Sequence, residues 1–246
     1  MTRVAIIQSN YIPWKGYFDI IHDVDIFVFL DDVQMTKRDW RTRNKIKTPR
    51  GTEWLTVPVK GGREQLIYEV EIVQDDWQKR HLRSIHTNYE RTPFFKDYKP
   101  LLDWLYMTPH TNLSEFNRQT TDMICKILGI QTQLLCSVDL EVDGTKDDRL
   151  ISICQKLGAT LYLSGPAARD YIVEEKFQRA GIELVYKDYT GYPEYPQRFP
   201  PFEHAVSIID VLFNCGPEAP YYIWGWRESA RKSLAKEIAY ESEKPI

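Results

Sequence analysis

The chain has 246 residues, a formal net charge of −3, 43% hydrophobic residues and 27% charged ones. That length can bury a core without disulfide or metal staples, and those proportions exclude disorder, collagen and coiled coil as descriptions of the whole. The charge excludes a globally basic nucleic-acid packager, while 13% aromatic residues, with 15 Tyr and 7 Trp, favour packed aromatic clusters or a site that stacks on flat or sugar-like ligands.

Residues 3–7 are β-rich, and the apolar start breaks too early for a signal-peptide core. Residues 10–16, holding Pro13 and Gly16, read as a turn, and 17–21 as a short helix. Residues 26–30, Ile-Phe-Val-Phe-Leu, are apolar on both faces, which suits a central parallel strand. These two strands are expected to be parallel neighbours at the sheet centre. The stretch 37–50 holds seven Lys or Arg against one Asp. Residues 54–59 and 67–73 alternate like antiparallel or edge strands, with Gly61-Gly62 as their turn. From 75 to 128 the pattern turns helical. Asp75 or Asp76, and Asn112 or Ser114, are the candidate N-caps, and Gly129 is a stop.

Alternation then resumes. Strands are expected at 133–138, 160–163 and 182–186, and helices at 147–157, 171–180, 204–214 and from about residue 222. A loop at 188–201 carries four prolines and four aromatics. The fold class is α/β, a Rossmann-like parallel sheet with helices on both faces. The domain reading is one unit over 1–246, with a mostly helical insertion or subdomain at 75–130. Apolar runs of about half a dozen residues fall short of the roughly 20 that span a bilayer, so no membrane insertion is expected. The four cysteines show no CxxC spacing and read as buried free thiols in a reducing cytoplasm. No metal-ligand spacing is present.

Four constellations carry chemistry. In a parallel α/β sheet, ligands sit outside the carboxyl ends of strands. Gln8, Asn10, Tyr11, Trp14 and Lys15 follow the first strand, the amides for hydrogen bonds and the lysine for a phosphate or a developing negative charge. Asp31 and Asp32 end the second strand. They are candidate carboxylates for sugar hydroxyls, Mg²⁺ or a proton from an amine, though only one of them can point into a given pocket from extended chain. In the basic run, Lys37, Arg38, Arg43, Asn44 and Lys45 suit phosphate, and Trp40 suits a base or a sugar. Ser164 and Gly165, between a strand and a helix, make a small-residue anion nest with Arg169 as clamp. Tyr11, Trp14, Asp32 and Arg43 are expected to line one cleft, with residues 164–169 on its far side.

The segments Gln8-Ser9-Asn10-Tyr11-Ile12-Pro13-Trp14-Lys15-Gly16-Tyr17-Phe18, Phe29-Leu30-Asp31-Asp32-Val33-Gln34, Arg43-Asn44-Lys45-Ile46-Lys47 and Trp54-Leu55-Thr56-Val57-Pro58-Val59 resemble the WbqC-like family. The resemblance returns at Tyr162-Leu163-Ser164-Gly165 and at Ser207-Ile208-Ile209-Asp210-Val211-Leu212-Phe213-Asn214. It departs at the start, where Ile7 and Ser9 replace the His and Pro of many members. The resemblance implies a cytoplasmic protein associated with O-antigen and other surface-polysaccharide gene clusters. It further implies acyl or aminoacyl transfer to the amine of a nucleotide-linked amino-deoxy sugar. Asp31, Asp32 and Lys15 would then be catalytic, with the other residues above binding substrate. The donor would be an adenylate made with ATP and Mg²⁺, another activated acyl group, or an aminoacyl-tRNA. The layout also looks like nucleotidylyltransferase-type folds, in which a motif after the first strand and another after a late strand enclose the nucleotide, although their HxGH is absent. The alternatives are a non-catalytic sugar-nucleotide scaffold and a glycosyltransferase with a DD pair in place of DxD.

Overall fold

The computed structural model describes residues 1–36, 38–61 and 64–229. In chain order the elements are β1 (Arg3–Ile7), α1 (Lys15–His22), β2 (Ile26–Phe29), β3 (Arg43–Thr48), β4 (Gly51–Thr56), β5 (Val59–Lys60) and β6 (Glu71–Ile72). Then come α2 (Trp77–Tyr89), α3 (Lys99–Met107), α4 (Leu113–Leu128), β7 (Gln133–Cys136), α5 (Lys146–Lys156), β8 (Leu161–Ser164), α6 (Glu174–Arg179), β9 (Glu183–Tyr186) and α7 (Ile208–Cys215).

Five strands form one sheet in the order β7-β2-β1-β8-β9, and every neighbouring pair is parallel. Val4 to Ile7 lie against Ile26 to Phe29, at the centre as expected. The chain builds outward from β1 to β7, then returns to β8 on the other side of β1. This is a Rossmann-like arrangement, and its direction reverses between β1 and β8.

A parallel sheet covered on both sides needs strands that are apolar on both faces. Ala5, Phe27 and Phe29 pack into one core, with Phe18 and Ile21 of α1, Trp77 of α2, Leu105 of α3, Phe116 of α4 and Phe213 of α7. Val4, Ile6 and Val28 pack into a second core, with Ile153 and Cys154 of α5 and Phe177 of α6. The helices of 75–130 therefore share the core of α1. Asn112 caps α4 by accepting from the Glu115 amide, and Gly129 closes it at φ 74°. There, glycine takes the left-handed conformation that ends many helices.

The small strands correct the sequence expectation. Residues 54–59 do not pair with 67–73 as one hairpin across Gly61-Gly62. Instead β4 turns back on β3 in the register Arg43–Thr56 to Thr48–Gly51, and only the two-residue β5 and β6 meet. The basic run hides a strand: Asn44, Ile46 and Thr48 are buried, while Arg43 and Lys45 face outward. The helix expected at 171–180 begins only at Glu174, because residues 166–170 form a 3₁₀ turn. The helix expected at 204–214 begins at Ile208, where Ser207 is the cap. The C-terminal helix expected from about 222 is seen to residue 229, and its remainder lies outside the described residues. Among the described residues, no helix is long and apolar enough to cross a membrane. All four cysteines are free and buried.

Candidate functional site

The chain leaves β1 under tight control. The Asp31 carboxylate accepts from the Ser9 amide at 2.8 Å and from the Ser114 hydroxyl. Tyr11 then turns inward. Its hydroxyl meets His81 Nδ1 at 2.8 Å and the Tyr106 hydroxyl at 2.6 Å. His81 Nε2 faces the Thr56 carbonyl at 3.1 Å, so Nε2 donates there and Nδ1 accepts from Tyr11. Burial holds His81 down at about 4, which keeps the ring neutral for this role. Asn44 Nδ2 donates to the carbonyls of Ile12 (2.8 Å) and Tyr11 (3.2 Å), and the Ser207 hydroxyl donates to that of Ile12 at 2.7 Å. Tyr11 and Asn44 therefore hold the loop in shape, and Tyr11, fully buried, lines none of the three cavities described below.

The two acids part company because the chain is extended there. Asp31 follows Phe27 and Phe29 into the α4 side, where it is fully buried. Asp32 faces α5, accepting from the Ser137 hydroxyl at 2.6 Å and pairing with Arg149. Neither carboxylate is presented as a free base, which corrects the expected role of both.

The single cleft expected for Tyr11, Trp14, Asp32 and Arg43 is replaced by three cavities. A slot of about 230 Å³ is lined by Asn10, Pro13, Trp14, Trp40, Asn44 and Ala205, and the Asn10 Oδ1 is buried without a partner among the described residues. A second cavity of about 390 Å³ brings Arg38 and Arg43 together beside Thr42 and residues 56–61. The largest of the three, about 620 Å³, opens at the carboxyl ends of β1 and β2, with Gln8, Leu30 and Val33 on one side, Tyr162 and Tyr171 on another, and residues 145–150 across from them. This cavity lies beside the β1/β8 reversal, where sheets of this type take their ligands. Lys146, Asp147, Asp148 and Lys176 bring charge to it. Asp148 pairs with Lys176 at 2.8 Å, and Asp147 accepts from the Val173 amide at 3.2 Å. Lys146 holds a left-handed backbone at φ 51°, a strain that persists only where the surroundings impose it. A Cβ on Gly144 would come within 2.9 Å of the Arg149 backbone nitrogen, so glycine allows this tight approach to α5.

The remaining expected residues lie elsewhere. Lys15 is buried, and among the described residues its Nζ has no hydrogen-bond partner. It sits 4.7 Å from the Tyr192 ring centroid and 5.3 Å from that of Tyr195. Burial lowers it to about 8, opposed by the nearby Cys215, Asp210 and Asp19. It therefore braces the 188–204 loop on α1 and reaches none of the three cavities, a correction to its expected catalytic place. Ser164 is buried, 3.5 Å from the Tyr162 hydroxyl, and the Arg169 guanidinium lies 4.7 Å above the Tyr186 ring. Ser164, Gly165 and Arg169 are not among the residues that line the three cavities. Lys37 lies outside the described residues. Lys45 lies on the outer side of the β3–β4 hairpin beside Trp54, and Trp40, besides lining the slot, packs against Trp54. Lys146 and Tyr171 are not among the residues expected at a site. The available signal was Thr145-Lys146-Asp147-Asp148, an acidic first turn that opens the helix between two parallel strands, β7 and β8.

The model of the WbqC-like protein family matches residues 8–222. The chain is 49% identical over 226 residues to the uncharacterized protein Rv1507c of Mycobacterium tuberculosis, covering 91% of this chain and 98% of that protein. No solved structure matches the chain.

Proposed function

Because this chain belongs to the WbqC-like protein family, we propose that it is a cytoplasmic enzyme of sugar-nucleotide modification in bacterial surface-polysaccharide synthesis, acting on O-antigen or a comparable glycan. In this reading it transfers an acyl or aminoacyl group to the amine of a nucleotide-linked amino-deoxy sugar. The observation that carries the proposal is the coincidence of the β1/β8 reversal with the 620 Å³ cavity, within the usual size range of about 300–1,000 Å³ for small-ligand sites. As in nucleotidylyltransferase-type folds, the loop after the first strand and the segment after a late strand flank it, here through Gln8 and Tyr171.

Tyr171, 69% exposed, supplies a flat surface for base or sugar, and Lys146 supplies a cation for a phosphate. Asp148, half of a solvent-accessible pair with Lys176, is the carboxylate best placed to take the proton of the sugar ammonium, leaving a free amine to attack. Amide formation also requires an activated donor: an adenylate built from ATP, a thioester or an ester. A second reading, a non-catalytic sugar-nucleotide-binding protein, is favoured by the engagement of Asp31 and Asp32 and by the burial of Lys15.

Mass spectrometry of dTDP- and UDP-linked 4-amino-4,6-dideoxy sugars, incubated with the chain and either aminoacyl-tRNA or ATP with amino acid, tests the proposal. A mass gain of one acyl group on the sugar nucleotide supports transfer. Binding without any mass gain across the panel supports the second reading.

A further inference from the structure

The β3–β4 hairpin presents a strip unlike an ordinary solvated charge run. Lys45 is paired with Trp54 in the hairpin register. The Arg43 guanidinium lies 4.1 Å from the Trp54 ring centroid, and the Lys45 Nζ lies 5.1 Å from it. Trp40 packs against Trp54 at 5.4 Å. Both indoles are exposed, at 44% and 40%. Exposed tryptophans in contact, flanked by cations, cost solvation and contribute little to the core, so they call for a ligand.

The strip continues in both directions. Trp40 forms a wall of the slot that also holds Trp14 and Asn10, whose Oδ1 has no partner among the described residues. At the hairpin tip, Arg50 shares a groove of about 520 Å³ with Arg80 and Arg83 of α2. Of the acids along it, Asp39 pairs with Arg41 and Asp75 with Arg80, while Glu53, in the groove itself, accepts from the neutral Ser84 hydroxyl at 3.3 Å. Arg43 at the start of β3 and Arg50 at the hairpin tip are separated by the length of β3, five strand steps of about 17 Å, and Lys47 between them is turned in to the Pro201 carbonyl. One base and one diphosphate do not fill such a length, whereas a few nucleotides of unpaired strand do. Aromatic rings alternating with cations are the recognition chemistry of single-stranded nucleic acid. A duplex hides its bases and would leave the indoles unused.

We propose that this face binds a single-stranded RNA segment, with bases stacked on Trp40 and Trp54 and phosphates on Arg43, Lys45 and Arg50. Resting on the function proposed above, the segment is the unpaired acceptor end of an aminoacyl-tRNA. The sugar amine attacks the ester carbonyl, a C–N bond forms, and the C–O bond to the terminal ribose breaks. The proton lost by the amine goes to the departing ribose oxygen, so no further activating reagent is consumed. Gln8 of the large cavity and Asn10 of the slot lie two residues apart on one loop, which puts acceptor and donor on the same segment.

Fluorescence anisotropy of the full chain with a fluorescein-labelled single-stranded RNA of about a dozen nucleotides, long enough to cover a site of this type, tests the proposal. The wild type is expected to bind at low salt and to prefer single strand over duplex. Trp40→Ala and Trp54→Ala should each weaken binding roughly five- to hundredfold, with unchanged circular dichroism and melting. Arg43→Ala should lower the salt slope by about one phosphate contact, and Arg43→Lys should restore it. No binding at low salt, or binding indifferent to both tryptophans, overturns the proposal. So does displacement of the RNA by a sugar nucleotide, with loss of sugar-nucleotide affinity in Trp54→Ala. RNA binding in a chain that binds no sugar nucleotide upholds this face as an RNA site and refutes the functional reading instead.

Discussion

Asp31 and Asp32, adjacent in the chain, send their carboxylates to opposite sides of the sheet. Asp31 goes to Ser114 of α4 and Asp32 to Arg149 of α5. Together they fasten the carboxyl end of β2 to both helical layers. Neither acid lines the large cavity; their flanking neighbours Leu30 and Val33 do.

The first prediction follows for Asp31. Removing a buried carboxylate strands the Ser9 amide and the Ser114 hydroxyl without partners, so Asp31→Ala should lower unfolding stability by about 3 kcal/mol. Urea denaturation measures this. An Asp31→Ala chain as stable as the wild type would mean that the carboxylate is free to serve chemistry.

The second concerns Lys15. Its folded value of about 8 lies below the usual 10.5, so between those values the unfolded chain binds more protons than the folded one. Stability contributed through this group therefore rises with pH across the window from 8 to 10.5, and the cost of burying the charge is fully present below 8. Lys15→Met should be more stable than the wild type at neutral pH by on the order of 1–3 kcal/mol, and the difference should shrink as pH rises towards 10.5. Paired melting curves across that range decide it. A variant less stable at neutral pH would show that contact with the Tyr192 and Tyr195 rings outweighs the desolvation.

The third concerns the thiols. Burial pushes Cys125, Cys154 and Cys215 up to about 12 and raises Cys136. Only the thiolate reacts, so a thiol-specific reagent should label the native chain slowly and all four sites once it is denatured. Rapid labelling of one thiol in the native state would show local opening at that residue.

Much of the framework was legible in the sequence. The Ile26 to Leu30 run announced a strand covered on both sides, and strand-helix alternation announced the parallel sheet. β3 was hidden because Arg43, Lys45 and Lys47 mask the inward row of Asn44, Ile46 and Thr48. Tyr11 looked like a site residue because the partners that draw it inward, His81 and Tyr106, lie on helices at a sequence separation of 70 and 95, and no local pattern encodes such pairs. The split of Asp31 from Asp32 follows from strand alternation alone. Their specific partners, Ser114 and Arg149, come from tertiary packing. The large cavity was legible only as a place, the carboxyl end of β1. Its charged side comes from residues 145–150 and Lys176, which sit more than a hundred positions away.

The most direct test of the central claim is calorimetric titration of the full chain with dTDP- and UDP-linked 4-amino-4,6-dideoxy sugars, wild type beside Lys146→Ala and Arg43→Ala. A sugar nucleotide in the cavity at the β1/β8 reversal predicts wild-type binding that weakens roughly ten- to hundredfold in Lys146→Ala, the loss of one charged contact to phosphate. Binding that is untouched in Lys146→Ala and lost in Arg43→Ala would contradict it, and would move the sugar nucleotide to the hairpin.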